Sequence, residues 1–220
     1  MRKLVIFGTE ATADVIDFYF THDSDYEVVA FTVDAAYVDK DEHRARPLVA
    51  FEGLQSRFPP DDHDLFVAIG FQKMNAVRAK KFAEAKSMGY RLASYLSSKA
   101  SAWPEFSAAE NTFVMEDNTI QPFVDIGPDT ILWSGNHVGH HSTIGAHCFV
   151  SSHVVISGRV KVGDYSFLGV NSTLRDGVTL GEATMVGAGC LVLSDTPAEA
   201  VVAAAGSEIR RVSSRKLRAI

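Results

Sequence analysis

From Val114 to Val192 every sixth residue is Val, Ile or Leu, fourteen times without a break. Seven of these are followed directly by glycine: Gly127, Gly139, Gly145, Gly163, Gly169, Gly181 and Gly187. A period of six is neither the 3.6 of an α-helix nor the 2 of an alternating strand. It fits a hexapeptide solenoid, in which three short faces make one triangular coil and each face sends one aliphatic side chain inward. The position four after each aliphatic is usually small, as in Ser142, Cys148, Val154, Val160, Ser166, Ser172, Thr184 and Cys190. A second side chain must fit inside there, at a tight corner. Fourteen hexapeptides give fewer than five turns, and at roughly 4.8 Å per turn a prism about 22 Å tall.

Residues 1–100 follow another rule. Lys3–Phe7 is an apolar run ending at Gly8, followed by a helical pattern through Val15, Ile16 and Phe20. Strands are expected at 26–33, 64–69 and 91–96, with a helix over 73–86. Strands alternating with helices imply a small parallel sheet with crossovers, a reduced Rossmann-like unit. The expected organisation is an α/β Rossmann-like sugar- or nucleotide-binding domain (1–100), then a left-handed parallel β-helix (101–206), then a basic tail (207–220). Trp103 and Pro104 start or cap the first coil.

The net charge of −6 and the lack of a long basic run exclude non-specific nucleic-acid binding. No stretch approaches the roughly 20 apolar residues of a membrane span. The N-terminus lacks the apolar length of a signal peptide, and a cytoplasmic location is expected. Both cysteines, Cys148 and Cys190, fall at the small corner position and read as buried thiols.

Five of the eight histidines lie within seventeen residues: His137, His140, His141, His147 and His153. None occupies an inward position, so all point outward or stand at corners. Residues eighteen apart stack on adjacent coils. One column is therefore Pro122, His140, Gly158 and Asp176, and the next is Phe123, His141, Arg159 and Gly177. Imidazole suits general-base work because its ordinary pKa lies near 6.5. Zinc is the competing reading, but no carboxylate or cysteine adjoins the histidines locally, and no metal is expected.

The repeat at 114–193, with a small Rossmann-like unit before it, resembles the hexapeptide-repeat sugar O- and N-acyltransferases of the sialic-acid O-acetyltransferase and bacillosamine N-acetyltransferase type. That resemblance implies acyl transfer from an acyl-CoA, expected to be acetyl-CoA, to a sugar or nucleotide-linked sugar. It implies His140, four positions before Ile144-Gly145, as general base. His141 stands where the family carries an orienting carboxylate, and Phe149 where it carries a second histidine beside the thioester. Gly158, Val170, Gly187 and Ala188 map onto its acyl-CoA contacts. Gly8 and Asp34 map onto its sugar-nucleotide contacts, while Asn136 and His137 are expected to position the substrate. An amine acceptor needs less base than a hydroxyl, which favours N-acylation where the carboxylate is missing. The alternatives are O-acetylation of a free sugar such as sialic acid, and a non-catalytic or zinc-binding β-helix. A prism of so few coils has little interior and is expected to pack as a homotrimer, with its sites between subunits.

Overall fold

The computed structural model describes residues 2–207 together with 211, 213 and 215. The expected basic tail, 207–220, falls mainly outside them. The N-terminal part runs β1 (Arg2–Phe7), α1 (Ala11–His22), β2 (Tyr26–Val33), β3 (Glu42–His43), β4 (Arg46–Ala50), α2 (Leu54–Arg57), β5 (His63–Val67) and α3 (Ala76–Ser87). Its sheet has the order β3-β4-β2-β1-β5, parallel except for the β3–β4 hairpin. The central strands bury both faces, as a parallel sheet requires: Leu4, Val5 and Ile6 of β1 are 0 % exposed. The hairpin strands have no counterpart in the sequence reading. The strand expected at 91–96 is divided. Leu92 makes one parallel bridge to Leu65, and the chain then crosses to the prism.

The prism therefore begins before residue 101, at β6 (Tyr95–Leu96) and β7 (Ser101–Ala102). Its three faces are parallel ladders of two-residue strands, the arrangement of a left-handed β-helix. The seven-stranded face starts with β6 and continues through Phe113–Val114, Ile131–Leu132, Phe149–Val150, Phe167–Leu168, Met185–Val186 and Val201–Val202. The six-stranded face starts with β7 and carries Thr119–Ile120, His137–Val138, Val155–Ile156, Thr173–Leu174 and Leu191–Val192. The third has four strands, Asp125–Ile126, Thr143–Ile144, Lys161–Val162 and Thr179–Leu180. The hexad aliphatics form one core with Cys148, Val154, Val160 and Cys190. Burial pushes the Cys148 thiol up to about 12, so it stays neutral. After Leu193 the strict register ends, yet the stacking continues, with Val202 pairing with Val186.

Each corner is turned by one residue in the left-handed region. From Asn111 to Gly189 every sixth residue has φ between 54° and 79°, and three of these fourteen are glycine. The glycines that follow the aliphatics serve a different need. A Cβ on Gly139 would lie 2.5 Å from Ser157 C, and one on Gly169 would lie 2.6 Å from Ala188 N. Side chains there would force adjacent coils apart.

The seven-stranded face is the docked face. Its outward residues Phe113, Ile131, Phe149 and Phe167, with Met115 and Trp133, form one core with Leu4, Ile6, Phe20 and Phe66 of the N-terminal part. The two parts thus share a hydrophobic core across the expected boundary. A buried polar junction fixes their register. Arg78 of α3 is 0 % exposed and meets Asp129 Oδ1 at 3.2 Å. It also donates to the carbonyls of Asp129 (2.9 Å), Cys148 (3.0 Å) and Gly70 (2.9 Å), and to Asn75 Oδ1 (3.1 Å). Asp129 accepts further bonds from Asn111 Nδ2 (2.7 Å) and His147 Nδ1 (2.8 Å).

A second tie sits at the end of α1. The Asp23 carboxylate accepts from Tyr95 Oη (2.6 Å), Ser98 N (2.9 Å) and Ser97 Oγ (3.3 Å). Hydrogen bonds from Ser98 and then Tyr95 hold its pKa down at about 2, against an ordinary 3.8. A carboxylate with a lowered folded pKa contributes stability above its unfolded value and loses it as pH falls through the folded one. Between pH 4 and 2 the wild type should lose stability more steeply than Asp23→Asn. Parallel acid-unfolding curves for the two proteins would remove that role.

Candidate active site

The structure separates the five clustered histidines. His147 stands at the corner leading to the docked face, bonded to Asp129 and stacked on Tyr165 with centroids 4.8 Å apart. His153 is at the next corner, its ring over Gly135. His137 is a half-buried outward residue of the six-stranded face. Only His140 and His141 remain together, at the corner between the six- and four-stranded faces.

Several contacts hold this pair. The His140 N–H donates to Gln121 Oε1 (2.9 Å), and its carbonyl accepts from Arg159 N (2.8 Å). His141 turns the corner at φ 59°, with its ring 4.6 Å from that of Phe123. The two imidazoles meet Nδ1 to Nδ1 at 3.1 Å. One of these nitrogens must donate and the other accept, so the tautomer of one ring fixes that of the other. The far edge of the His140 ring lies over Gly158, where a Cβ would be 2.8 Å from Cε1 and 2.9 Å from Nε2. Any side chain at 158 would displace the imidazole. Among the described residues the Gly158 N–H has no backbone acceptor. Beyond it, Asp176 pairs with Arg159 at 2.5 Å.

Two expected site residues are corrected. Asn136 is 1 % exposed, donates to Trp133 O (2.5 Å) and accepts from Val154 N (2.7 Å). Its amide closes the inside of a corner and does not face a substrate. Phe149 is 5 % exposed in the shared core, its ring 5.2 Å from Phe71. The N-terminal part covers it, so it does not line a donor site. Val170, Gly187 and Ala188 lie towards the corner between the docked and six-stranded faces, one full face away from His140 and Gly158.

Gly8 and Asp34 line a cleft of about 690 Å³ with Thr9, Glu10, Tyr37 and Lys81. The cleft opens at the C-terminal ends of β1, β2 and β5, where the connections from β1 and β5 leave in opposite directions. Open α/β sheets bind ligands at such points. Gly8 has φ +126°, and a Cβ there would lie 2.9 Å from Ala68 O, so the turn itself demands glycine. Asp34 bonds Lys81 Nζ at 2.6 Å. Burial works to lower the Lys81 pKa, but hydrogen bonds to Asp34 and Glu84 outweigh it and hold the ammonium above its ordinary value.

The family described as bacterial transferase hexapeptide (six repeats) matches residues 124–158. Perosamine N-acetyltransferase from Caulobacter crescentus, solved with CoA and GDP-perosamine, is 28 % identical, with a TM-score of 0.79 over 91 % of this chain and 93 % of that one. A variant of the same enzyme gives 27 % and 0.81 over the same shares. The chain is similar to the hexapeptide-repeat sugar acyltransferases in its repeat and in its overall structure.

WeeI from Acinetobacter baumannii AYE (16 % identity, TM-score 0.77, 91 % and 96 % of the chains) shares the fold. So does the acetyltransferase domain of PglB from Neisseria gonorrhoeae FA1090 (22 %, 0.64, 90 % and 94 %). No curated protein is matched at the sequence level. Among the described residues of this acyltransferase no group of three or more His, Cys, Asp or Glu is arranged to hold a metal ion. No described helix is long and apolar enough to cross a membrane. Gln121, Tyr37 and Lys81 are site-lining residues that the sequence reading missed. Nothing in the local sequence marks them, because each acts across a coil or a crossover.

Proposed function

We propose that this chain transfers the acetyl group of acetyl-CoA to the amino group of a nucleotide-linked amino sugar, with His140 as general base. The observation that carries the reading is the His140–His141 pair beside the unpaired Gly158 N–H. If His140 Nδ1–H donates to His141 Nδ1, then His140 Nε2 is free to accept a proton. His141 thereby takes the orienting part that a carboxylate plays elsewhere. The substrate nitrogen attacks the thioester carbonyl, and the N–C bond forms. His140 Nε2 takes a proton from the nitrogen. The C–S bond then breaks, and the departing thiolate receives that proton. The Gly158 N–H would donate to the oxyanion formed in between. The Caulobacter enzyme, 27–28 % identical over nine-tenths of both chains, binds CoA and GDP-perosamine, which supports this choice of donor and acceptor.

The working unit in this reading is a homotrimer. The cleft belongs to the part seated on the docked face, while His140 stands at the corner opposite that face. A face of six residues spans at most about 20 Å, so within one chain the prism itself lies between them. The six-stranded face is flanked by the two corners that matter, one with His140 and Gly158 and the other with Val170 and Ala188. Its outward residues include Val155, 39 % exposed, and Leu191, 61 % exposed. Turning this face to a threefold axis brings the His140 corner of one copy to the Val170–Ala188 corner and cleft of the next. A mixture of two inactive variants, His140→Asn and one blocked in the cleft at Gly8→Trp, should then regain about a quarter of the wild-type sites in randomly mixed trimers. Absence of any recovery, with a monomer in light scattering, would sink the shared site.

A further inference from the structure

Beside the histidine pair, on the side of the preceding coil, lies a recess of about 370 Å³ lined by Trp103, Glu105, Phe106, Gln121, Pro122 and Phe123. We propose that it is the subsite for the hexose ring of the acceptor, a reading that rests on the acyl-transfer function above.

Two aromatic side chains are left facing water there. Trp103 is 59 % exposed and Phe123 75 %. Phe123 stands at a coil corner, where its side chain leaves the prism at an edge. A large apolar ring left in water at the edge of a site points to a ligand rather than to folding. The recess is continuous with the chemistry. Gln121 lines it and accepts the His140 N–H at 2.9 Å, and the Phe123 ring is 4.6 Å from that of His141. A ligand seated in it is one side chain away from the base.

The lining selects the kind of ligand. A volume of 370 Å³ lies within the range of small-molecule sites. No Lys or Arg lines it, so it offers nothing to the phosphates of CoA or of a nucleotide. Flat apolar walls with one carboxylate and one amide suit a sugar ring. The rings cover its C–H face, while Glu105 and Gln121 meet its hydroxyls. The residues mapped onto acyl-CoA contacts lie on later coils than His140, whereas Gln121, Pro122 and Phe123 lie on the earlier one. Donor and acceptor would therefore approach the base from opposite sides.

The test uses the full chain with acetyl-CoA and GDP-perosamine. Phe123→Ala and Trp103→Ala should each raise the acceptor KM on the order of 10-fold, with a smaller change in kcat. The Kd for acetyl-CoA by calorimetry and the mass by light scattering should stay as in the wild type. An acceptor KM within twofold of wild type in both variants would overturn the proposal. A loss of acetyl-CoA affinity would assign the recess to the donor, and dissociation of the oligomer would assign it to a contact between copies; either refutes it. If the wild type does not turn over the sugar nucleotide, the acyl-transfer reading fails, but the subsite is still read by fluorescence. GDP-perosamine should quench the wild type and not Trp103→Phe, and no quench in the wild type would reject the subsite as well.

Discussion

Replacing His140 by asparagine is expected to lower kcat by about 10²–10⁴ while leaving the Michaelis constant for acetyl-CoA nearly unchanged. Asparagine can keep a hydrogen bond to His141 but cannot take a proton. His147→Asn provides the contrast. His147 is bonded to Asp129 at another corner, so its loss should cost stability far more than rate. A His140→Asn enzyme with more than about a third of the wild-type rate would reduce His140 to positioning and move the base to His141.

Arg78→Met should be the most destabilising single change in the molecule that creates no cavity of note. It leaves the fully buried Asp129 carboxylate with Asn111 and His147 only, and Asn75 Oδ1 without its donor. Breaking one side of a buried ion pair costs about 3–5 kcal/mol. For a chain of this length that corresponds to a Tm lowered by roughly 10 °C, measured at fixed protein concentration. Arg78→Met with Asp129→Asn should recover part of the loss, because the stranded charge is then gone. If the single variant melts within about 3 °C of wild type, the junction does not fix the two parts.

The β-helix was legible in the sequence because its rule is local and repeated. Each hexad needs an inward aliphatic, a small inner corner and, where coils approach closely, a glycine. The docked face was also written there, unread. Phe113, Ile131, Phe149, Phe167 and Met185 recur every eighteen residues one position before the aliphatics, which gives one face an apolar outside. That signal would have removed Phe149 from the donor site. The same rule divides the histidine cluster. Neighbours six apart in sequence stand at different corners, and those that meet are adjacent in sequence or about eighteen apart. Arg78 left no trace, since one basic residue among several in a helix does not announce which is buried. Asn136 was expected at the substrate, whereas the inner corner position it occupies accepts polar side chains that bond the coil's own backbone.

The corners turned by left-handed residues set durability against display. Eleven of them carry a side chain; four are Asn or Asp, which tolerate this region, and each of the other seven costs about 1–2 kcal/mol. They are also where a side chain leaves the prism at an edge, so the strained residues include His141 of the histidine pair and Phe123, which packs against it. Selection for heat resistance alone would push these positions towards glycine and asparagine and blunt the enzyme as it hardened. A thermostable relative that keeps bulky side chains at these two corners while relaxing the others would have separated the two pressures, and its remaining strain would mark the residues that substrate has kept in place.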